Sequence, residues 1–239
     1  YQLAQRKALG KLPENGAVVT TIVSGKMAGE ITKDYQVELI ETLTGFKYIG
    51  EQIKFFEQNH TYMYLFGYEE SYGCLVGTHA RDKDAVAAVM ALCEAAAWCK
   101  HQGITLCGQM EKLYQKYGYY KEGLSTITLK GQEGIRKISK MMERIRSEVP
   151  EQIGGLKVLQ FRDYREDMLV DYKNGTKSKT GLPASNVLYF ELEEGAWCCI
   201  RPSGTEPKIK FYIGVCGSDE NDAVWKLDKI TQAVLQLVE

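Results

Sequence analysis

Residues 201–208 read Arg-Pro-Ser-Gly-Thr-Glu-Pro-Lys. Arg201 offers a planar fork of N–H donors, Ser203 and Thr205 offer hydroxyls, and Lys208 offers an ammonium. Gly204 lets backbone N–H groups crowd around a guest. A fork joined to a nest of amide donors is the inventory for holding a phosphate. The same residues suit a β-hairpin whose Pro and Gly do no more than make the turn. Spacing alone leaves both readings open.

Three further clusters carry chemistry. In Gly67-Tyr68-Glu69-Glu70-Ser71-Tyr72-Gly73, a carboxylate can accept hydrogen bonds from neighbouring hydroxyls of a polyol, and Ser71 can donate or accept. A solvated acidic turn is the competing reading. A glycosidase pair is disfavoured, because Glu69 and Glu70 are adjacent in sequence. In Arg81-Asp82-Lys83-Asp84, Lys83 can hold a phosphate, or act as acid or base if its pKa is depressed. Ordinary helix-start charges explain the same run, and His79 just upstream reads as a surface histidine. Thr44-Gly45-Phe46-Lys47-Tyr48-Ile49-Gly50 supplies Phe46 and Tyr48, either able to lie against a pyranose ring. A helix that uses its aromatics as core explains each of them as well.

The elements around these clusters place them. Residues 17–23 form a continuous β-branched run, as in a strand buried on both faces. A short helical pattern at 27–35, a strand at 37–43, a helix from 46 to 57 and a strand at 62–66 follow. That alternation predicts a parallel sheet with right-handed crossovers, with ligands at the loops after the strands. The three clusters fall in or near those loops. Asp82 or Asp84 caps a long Ala-rich helix, expected to pack against the sheet and to end at Gly103. A helix at 106–117 and a strand at 125–130 complete a first domain over 1–132. A charged amphipathic helix at 134–149 leads to Pro150 and Gly154-Gly155. The second domain, 133–239, is expected to be smaller and α+β. It has strands at 156–162, 187–193, 196–200 and 209–215, a polar loop at 173–185 and a closing helix at 219–238. The fold class is thus a parallel-sheet α/β domain followed by an α+β domain with an antiparallel sheet.

Composition excludes several functions. Hydrophobic residues at 44% and charged residues at 26% fit a globular protein with a full core. A formal net charge of -1 gives no electrostatic case for nucleic acid or an anionic membrane. Seven cysteines without a C-x-x-C or a zinc spacing read as reduced thiols of a cytoplasmic protein. The most apolar run, 85–99, contains Glu94 and is too short to span a bilayer. No G-x-x-x-x-G-K-[ST] is present, which disfavours nucleotide binding. The opening residues Tyr1-Gln2-Leu3-Ala4-Gln5-Arg6-Lys7 look like a helix cut in mid-element, so the chain reads as a fragment.

The four motifs, in this order and across essentially the whole chain, resemble the third and fourth domains of the phosphoglucomutase/phosphomannomutase (α-D-phosphohexomutase) family. The resemblance implies an intramolecular phosphotransferase. It would interconvert hexose 1-phosphate and 6-phosphate through a hexose 1,6-bisphosphate, using a phosphoserine in the first domain and Mg²⁺ in an Asp-rich loop of the second. It implies that Thr44, Gly45, Phe46, Glu69, Ser71 and Lys83 face the sugar. Arg201, Ser203, Gly204 and Thr205 would clamp the non-reacting phosphate, with Lys208 as an added contact. No phosphoserine loop of the Ser-His-Asn-Pro type and no Asp-x-Asp-x-Asp-Arg metal loop occurs in the sequence. The partners implied are therefore a sugar phosphate and the N-terminal domains of the same protein. The chain alone is expected to be inactive and to hold no metal, with no catalytic residue beyond Lys83. Gly73 stands where the phosphomannomutase branch carries a histidine, which favours glucose phosphate, though the family's pentose-phosphate mutases share a similar loop. A non-catalytic sugar-phosphate-binding module is the alternative of a different class.

Overall fold

The structure, a computed structural model, describes residues 1–204 and 206–237. It divides into two units, Tyr1–Gly118 and Tyr119–Glu239.

In the first unit, α1 (Gln2–Ala8) leads into β1 (Gly16–Thr21). Then come α2 (Met27–Asp34), β2 (Glu38–Thr42), α3 (Phe46–Asn59), β3 (Met63–Tyr68), β4 (Cys74–Val76), α4 (Ala85–His101) and α5 (Leu106–Tyr117). The sheet runs β2-β1-β3-β4. β1 is parallel to both β2 and β3, and the short β4 returns antiparallel to β3. Every residue of β1 is buried, and its side chains divide between two cores as period-2 alternation requires. Ala17 and Val19 meet Phe46, Ile49, Ile53 and Phe56 of α3. Val18 joins Leu3, Val37 and Leu65 on the other side.

Gly50 fixes how the chain before α4 lies over α3. A Cβ at that position would stand 2.1 Å from the Arg81 carbonyl oxygen. Arg81 is further tied to Glu57 of α3 by a fork of two bonds at 2.8 and 2.7 Å. Asp84 caps α4, accepting from the N–H groups of Val86 and Ala87. Of the two candidate caps, Asp84 is the one used. The expectation that α4 is a rod packed against the sheet holds for one side only. Cys99 is buried, while Val86, Val89, Met90 and Leu92 face outward.

In the second unit the elements are β5 (Tyr119–Thr128), α6 (Gly131–Ser147), β6 (Gln152–Ile153), β7 (Leu156–Asp163), β8 (Met168–Asp171) and β9 (Thr176–Ser178). They continue with β10 (Leu188–Leu192), a 3-10 turn (Glu193–Gly195), β11 (Trp197–Pro202), β12 (Lys208–Gly217) and α7 (Glu220–Gln236). The sheet runs β5-β12-β11-β10-β7-β8-β9, with β6 paired to β7, and all its pairings are antiparallel. α6 and α7 bury Ile138, Met142, Ile145, Ile230 and Val234 against Phe161, Phe190, Phe211 and Ile213 of one sheet face. On the opposite face Tyr189 stacks on Trp197 at 5.7 Å, and the Arg162 guanidinium lies 5.0 Å above Tyr189. The buried Asp163 carboxylate accepts from Arg146 of α6 at 2.6 Å and from the Arg165 N–H at 3.0 Å. A buried charge is tolerable only when paired in this way.

The joint differs from the expected boundary between 132 and 133. The strand expected at 125–130 starts at Tyr119 and pairs with β12 from Tyr119 to Thr128, so the second unit begins after Gly118. With β5 included, the second unit is no smaller than the first. The polar loop expected at 173–185 contains β9.

The two helical glycines Gly50 and Gly108 respond oppositely to alanine. Gly50→Ala forces backbone against backbone and is expected to destabilise by about 1–3 kcal/mol. Gly108→Ala in α5, where the nearest atom to a new Cβ is at 3.5 Å, is expected to be neutral or to stabilise by up to about 1 kcal/mol. Urea unfolding of both variants measures the contrast.

Candidate ligand-binding sites

The first unit collects its polar groups where β1, β2 and β3 end. The loop after β3 is closed by the Glu69 N–H donating to the Gly73 carbonyl at 2.9 Å. This turn buries the Glu69 side chain, leaves Ser71 exposed and holds Tyr72 fully exposed at φ 67°. Glu70 turns the other way and accepts from Thr21 Oγ1 at 3.0 Å, and Thr21 Oγ1 lies 2.9 Å from Ser24 Oγ. Lys26 pairs with Glu41 across the same edge. Thr44 and Gly45 form the loop after β2, and Gly45, at φ 124°, starts α3 with no side-chain cap. The first amides of α3 thus lack a side-chain partner at this end, where the helix dipole favours negative charge.

Lys83 joins these loops. Its Nζ lies 3.5 Å from Glu69 Oε1, 3.4 Å from Asp82 Oδ1 and 5.6 Å from the centroid of the Phe46 ring. Partial desolvation works against its charge, but the carboxylates of Glu69 and Asp82 outweigh it and hold the Lys83 pKa above the ordinary value of 10.5. The side chain is therefore a fixed cation at neutral pH, and the depressed acid/base lysine considered from sequence is not what its surroundings favour. Gly73 closes the arrangement: a Cβ there would fall 2.5 Å from Lys83 Cδ and 2.8 Å from Glu69 Oε1. Phe46, the aromatic expected against a sugar ring, is buried in the core with Ile49 and Ile53. His79 donates to or accepts from Asp84 at 2.8 Å, and that bond, with the cap amides of α4, lowers the Asp84 pKa.

In the second unit, residues 202–207 cross from β11 to β12. The Ser203 N–H donates to the Lys208 carbonyl at 2.7 Å, and the Glu206 N–H donates to Ser203 Oγ at 3.3 Å. The Pro207 carbonyl accepts from the Leu129 N–H at 2.9 Å, pinning the loop to the end of β5. Gly204 is exposed, with open space where a side chain would stand. Thr205 lies outside the described residues. Lys208 is already paired to Glu206 at 3.2 Å.

Lys210 was missed in the sequence. The strand register sets it directly opposite Arg201 on one side and Thr126 on the other. Neither Arg201 nor Lys210 has an acidic partner among the described residues. Like charges directly opposite on a sheet destabilise it, and an anion seated over the pair would relieve that cost. Counting from Arg201 through the hairpin would have placed Lys210 on the same face, had the register been known.

Among the described residues no group of three or more His, Cys, Asp or Glu could hold a metal ion. The Mg²⁺ implied by the family resemblance does not fit these residues, and no step is assigned to it. No helix among the described residues is long and apolar enough to cross a membrane.

The raised Lys83 pKa carries a pH signature. The attraction between Lys83 and Glu69 is complete below the ordinary lysine value and is lost as pH rises through the raised one. An NMR titration of Lys83 should therefore show a midpoint above 10.5. Glu69→Gln should bring it down, and an unshifted midpoint in that variant would break the assignment.

Comparison with known proteins agrees with this layout. The family model for phosphoglucomutase/phosphomannomutase, alpha/beta/alpha domain III, matches residues 1–117, and that for the C-terminal domain matches residues 145–226. A phosphoglucomutase of Staphylococcus epidermidis is 36% identical over 98% of the chain, which covers 41% of that relative. One of Staphylococcus aureus is 37% identical over 88% of the chain and 38% of its own length. The chain thus spans about two fifths of the length of these curated relatives. Parafusin (phosphoglucomutase) from Paramecium has the same fold, with a TM-score of 0.64 and 19% identity over 93% of this chain and 37% of its own. A phosphoglucomutase/phosphomannomutase family protein from Burkholderia thailandensis gives a TM-score of 0.53 at 10% identity, covering 99% of this chain and 40% of its own. The two models match in order and together take in most of the sequence: the chain belongs to the phosphoglucomutase/phosphomannomutase family, corresponding to its third and C-terminal domains.

Proposed function

We propose that this chain is the ligand-reading part of a cytoplasmic phosphoglucomutase-type phosphotransferase, which interconverts hexose 1-phosphate and 6-phosphate through a hexose 1,6-bisphosphate. The observation that carries this reading is the buried Glu69 carboxylate set 3.5 Å from the Lys83 ammonium where the parallel strands end. Such a carboxylate accepts from vicinal sugar hydroxyls, and Ser71 adds a group that donates or accepts. In the second unit, Arg201, Ser203, Gly204, Thr205 and Lys210 would hold a phosphate dianion, with Lys208 as an outer contact already shared with Glu206.

The preference for glucose phosphate draws support from Gly73. A histidine at that position, as in the phosphomannomutase branch, would put its Cβ into Lys83 and Glu69 as they are arranged here. The phosphoserine and the metal would come from other domains, so the 239 residues alone would bind ligand without turning it over.

The test uses the full enzyme. Arg201→Ala removes two charge-assisted hydrogen bonds, and at about 1.4 kcal/mol per decade KM should rise by roughly a hundredfold. Because a remote phosphate contributes uniform binding, kcat should change far less. Lys210→Ala should raise KM about tenfold, while Lys208→Ala, whose cation is spent on Glu206, should have a smaller effect. Glu69→Gln should lower kcat/KM by one to two orders of magnitude, roughly the value of a charged hydrogen bond to the sugar. Wild-type kinetics in Arg201→Ala and Glu69→Gln would dismiss the reading.

A further inference from the structure

α4 is apolar on all sides. Its sequence Ala-Val-Ala-Ala-Val-Met-Ala-Leu-Cys-Glu-Ala-Ala-Ala-Trp-Cys-Lys-His holds one acid and no base before Lys100. A helix of that kind belongs in an interior. Here only one side is covered. Val86 is 71% exposed, Val89 60%, Met90 62% and Leu92 59%. Val86, Val89, Met90, Cys93 and Ala97 recur at helical spacing, so they form one continuous outward stripe. A patch of this kind marks a surface built to be covered.

We propose that this stripe is the docking face for the part of the same protein that precedes Tyr1. This rests on the family reading, in which more than half of each curated relative lies outside the match and the matched model is that of domain III. The position of Tyr1 supports this occupant over others. Its ring packs edge-on to Trp98 of α4, with centroids 6.1 Å apart. Any preceding residue therefore leaves from alongside the same helix, and a segment emerging there covers the stripe without a long connection. Its half-buried amino terminus sits where a neutral peptide group is better accommodated than a charge, as the lowering of its pKa by burial reflects.

Cys93, exposed within the stripe, is the reporter. The 239-residue chain and the longer protein containing it are treated with iodoacetamide under native conditions, and alkylation of Cys93 is followed by mass spectrometry. Cys93 should react freely in the short chain and at least about tenfold more slowly in the long one, the ratio set by an opening cost of about 1.4 kcal/mol. Val89→Glu should leave the urea midpoint of the short chain unchanged and lower the melting temperature of the long one. Equal Cys93 reactivity in both forms overturns the proposal. So does a self-associated short chain with Cys93 protected, which would make a second copy the occupant. A reading frame with no coding sequence before Tyr1 overturns it as well. Neither readout depends on turnover, so failure here leaves the sugar-phosphate reading standing, and failure of that reading leaves this one standing.

Discussion

A carboxylate removed from water at the end of a strand must be compensated, and the first unit is organised around that demand. Burying Glu69 without a partner would cost several kcal/mol or protonate it. Lys83 compensates it from a segment remote in sequence. That segment must then be held still. The Arg81 carbonyl settles onto Gly50, the Arg81 side chain forks onto Glu57, and the Asp84 N–H donates to the Cys74 carbonyl at 3.0 Å. Asp84 closes the sequence of constraints by capping α4. A single pair at the site thus explains a helical glycine, a surface arginine fork and a cap, none of which touches a ligand.

The second unit solves the opposite problem. Its hairpin sets two cations across from one another and leaves them without an acid among the described residues. The neighbouring Lys208 shows what the fold does with an ordinary lysine: it pairs it, here with Glu206. The same contrast appears inside this unit at Asp163, where a buried charge receives both an arginine and a backbone N–H. Arg201 and Lys210 depart from that rule. A local conflict kept in an otherwise consistent fold is what a binding site looks like energetically.

Much of this was legible before the structure. β1 announced itself by a β-branched run, α3 by its apolar period, and the β11–β12 hairpin by its Pro and Gly. The loops that carry Glu69, Lys83 and Arg201 fell where strands and helices meet. What escaped reading depended on partners distant in sequence. Alternation from Tyr119 to Thr128 identifies a strand but not the sheet it joins, and only the register with β12 assigns it to the second unit. Lys210 is silent until Arg201 is known to lie opposite it. Phe46 carries the residue type of a sugar platform, yet Ile49 and Ile53 on the same helix face draw it into the core. α4 has so little asymmetry that its pattern could not say which side meets the sheet. β8 and β9 are short and polar, so they lack the apolar alternation that betrays a strand.

The charges in both sites are of a kind that does not change during a reaction near neutral pH. Lys83 is held above its ordinary pKa, and a guanidinium such as Arg201 keeps its proton in any protein environment. Groups of fixed charge grip a bound anion equally in the ground state and the transition state, which lowers KM without raising kcat. Their contribution to rate is indirect. In the proposed transfer the same sugar must present each of its two ends in turn, and holding it in a reactive orientation is worth up to about 7–11 kcal/mol of barrier. A part specialised for orientation needs rigid loops, fixed charges and shape, and those are what the glycines, caps and ion pairs of this chain supply. The bond-making groups can then reside on another part of the protein, provided that part is docked firmly enough to keep the geometry. A helix left apolar on its outer face is the physical means by which such docking would be secured.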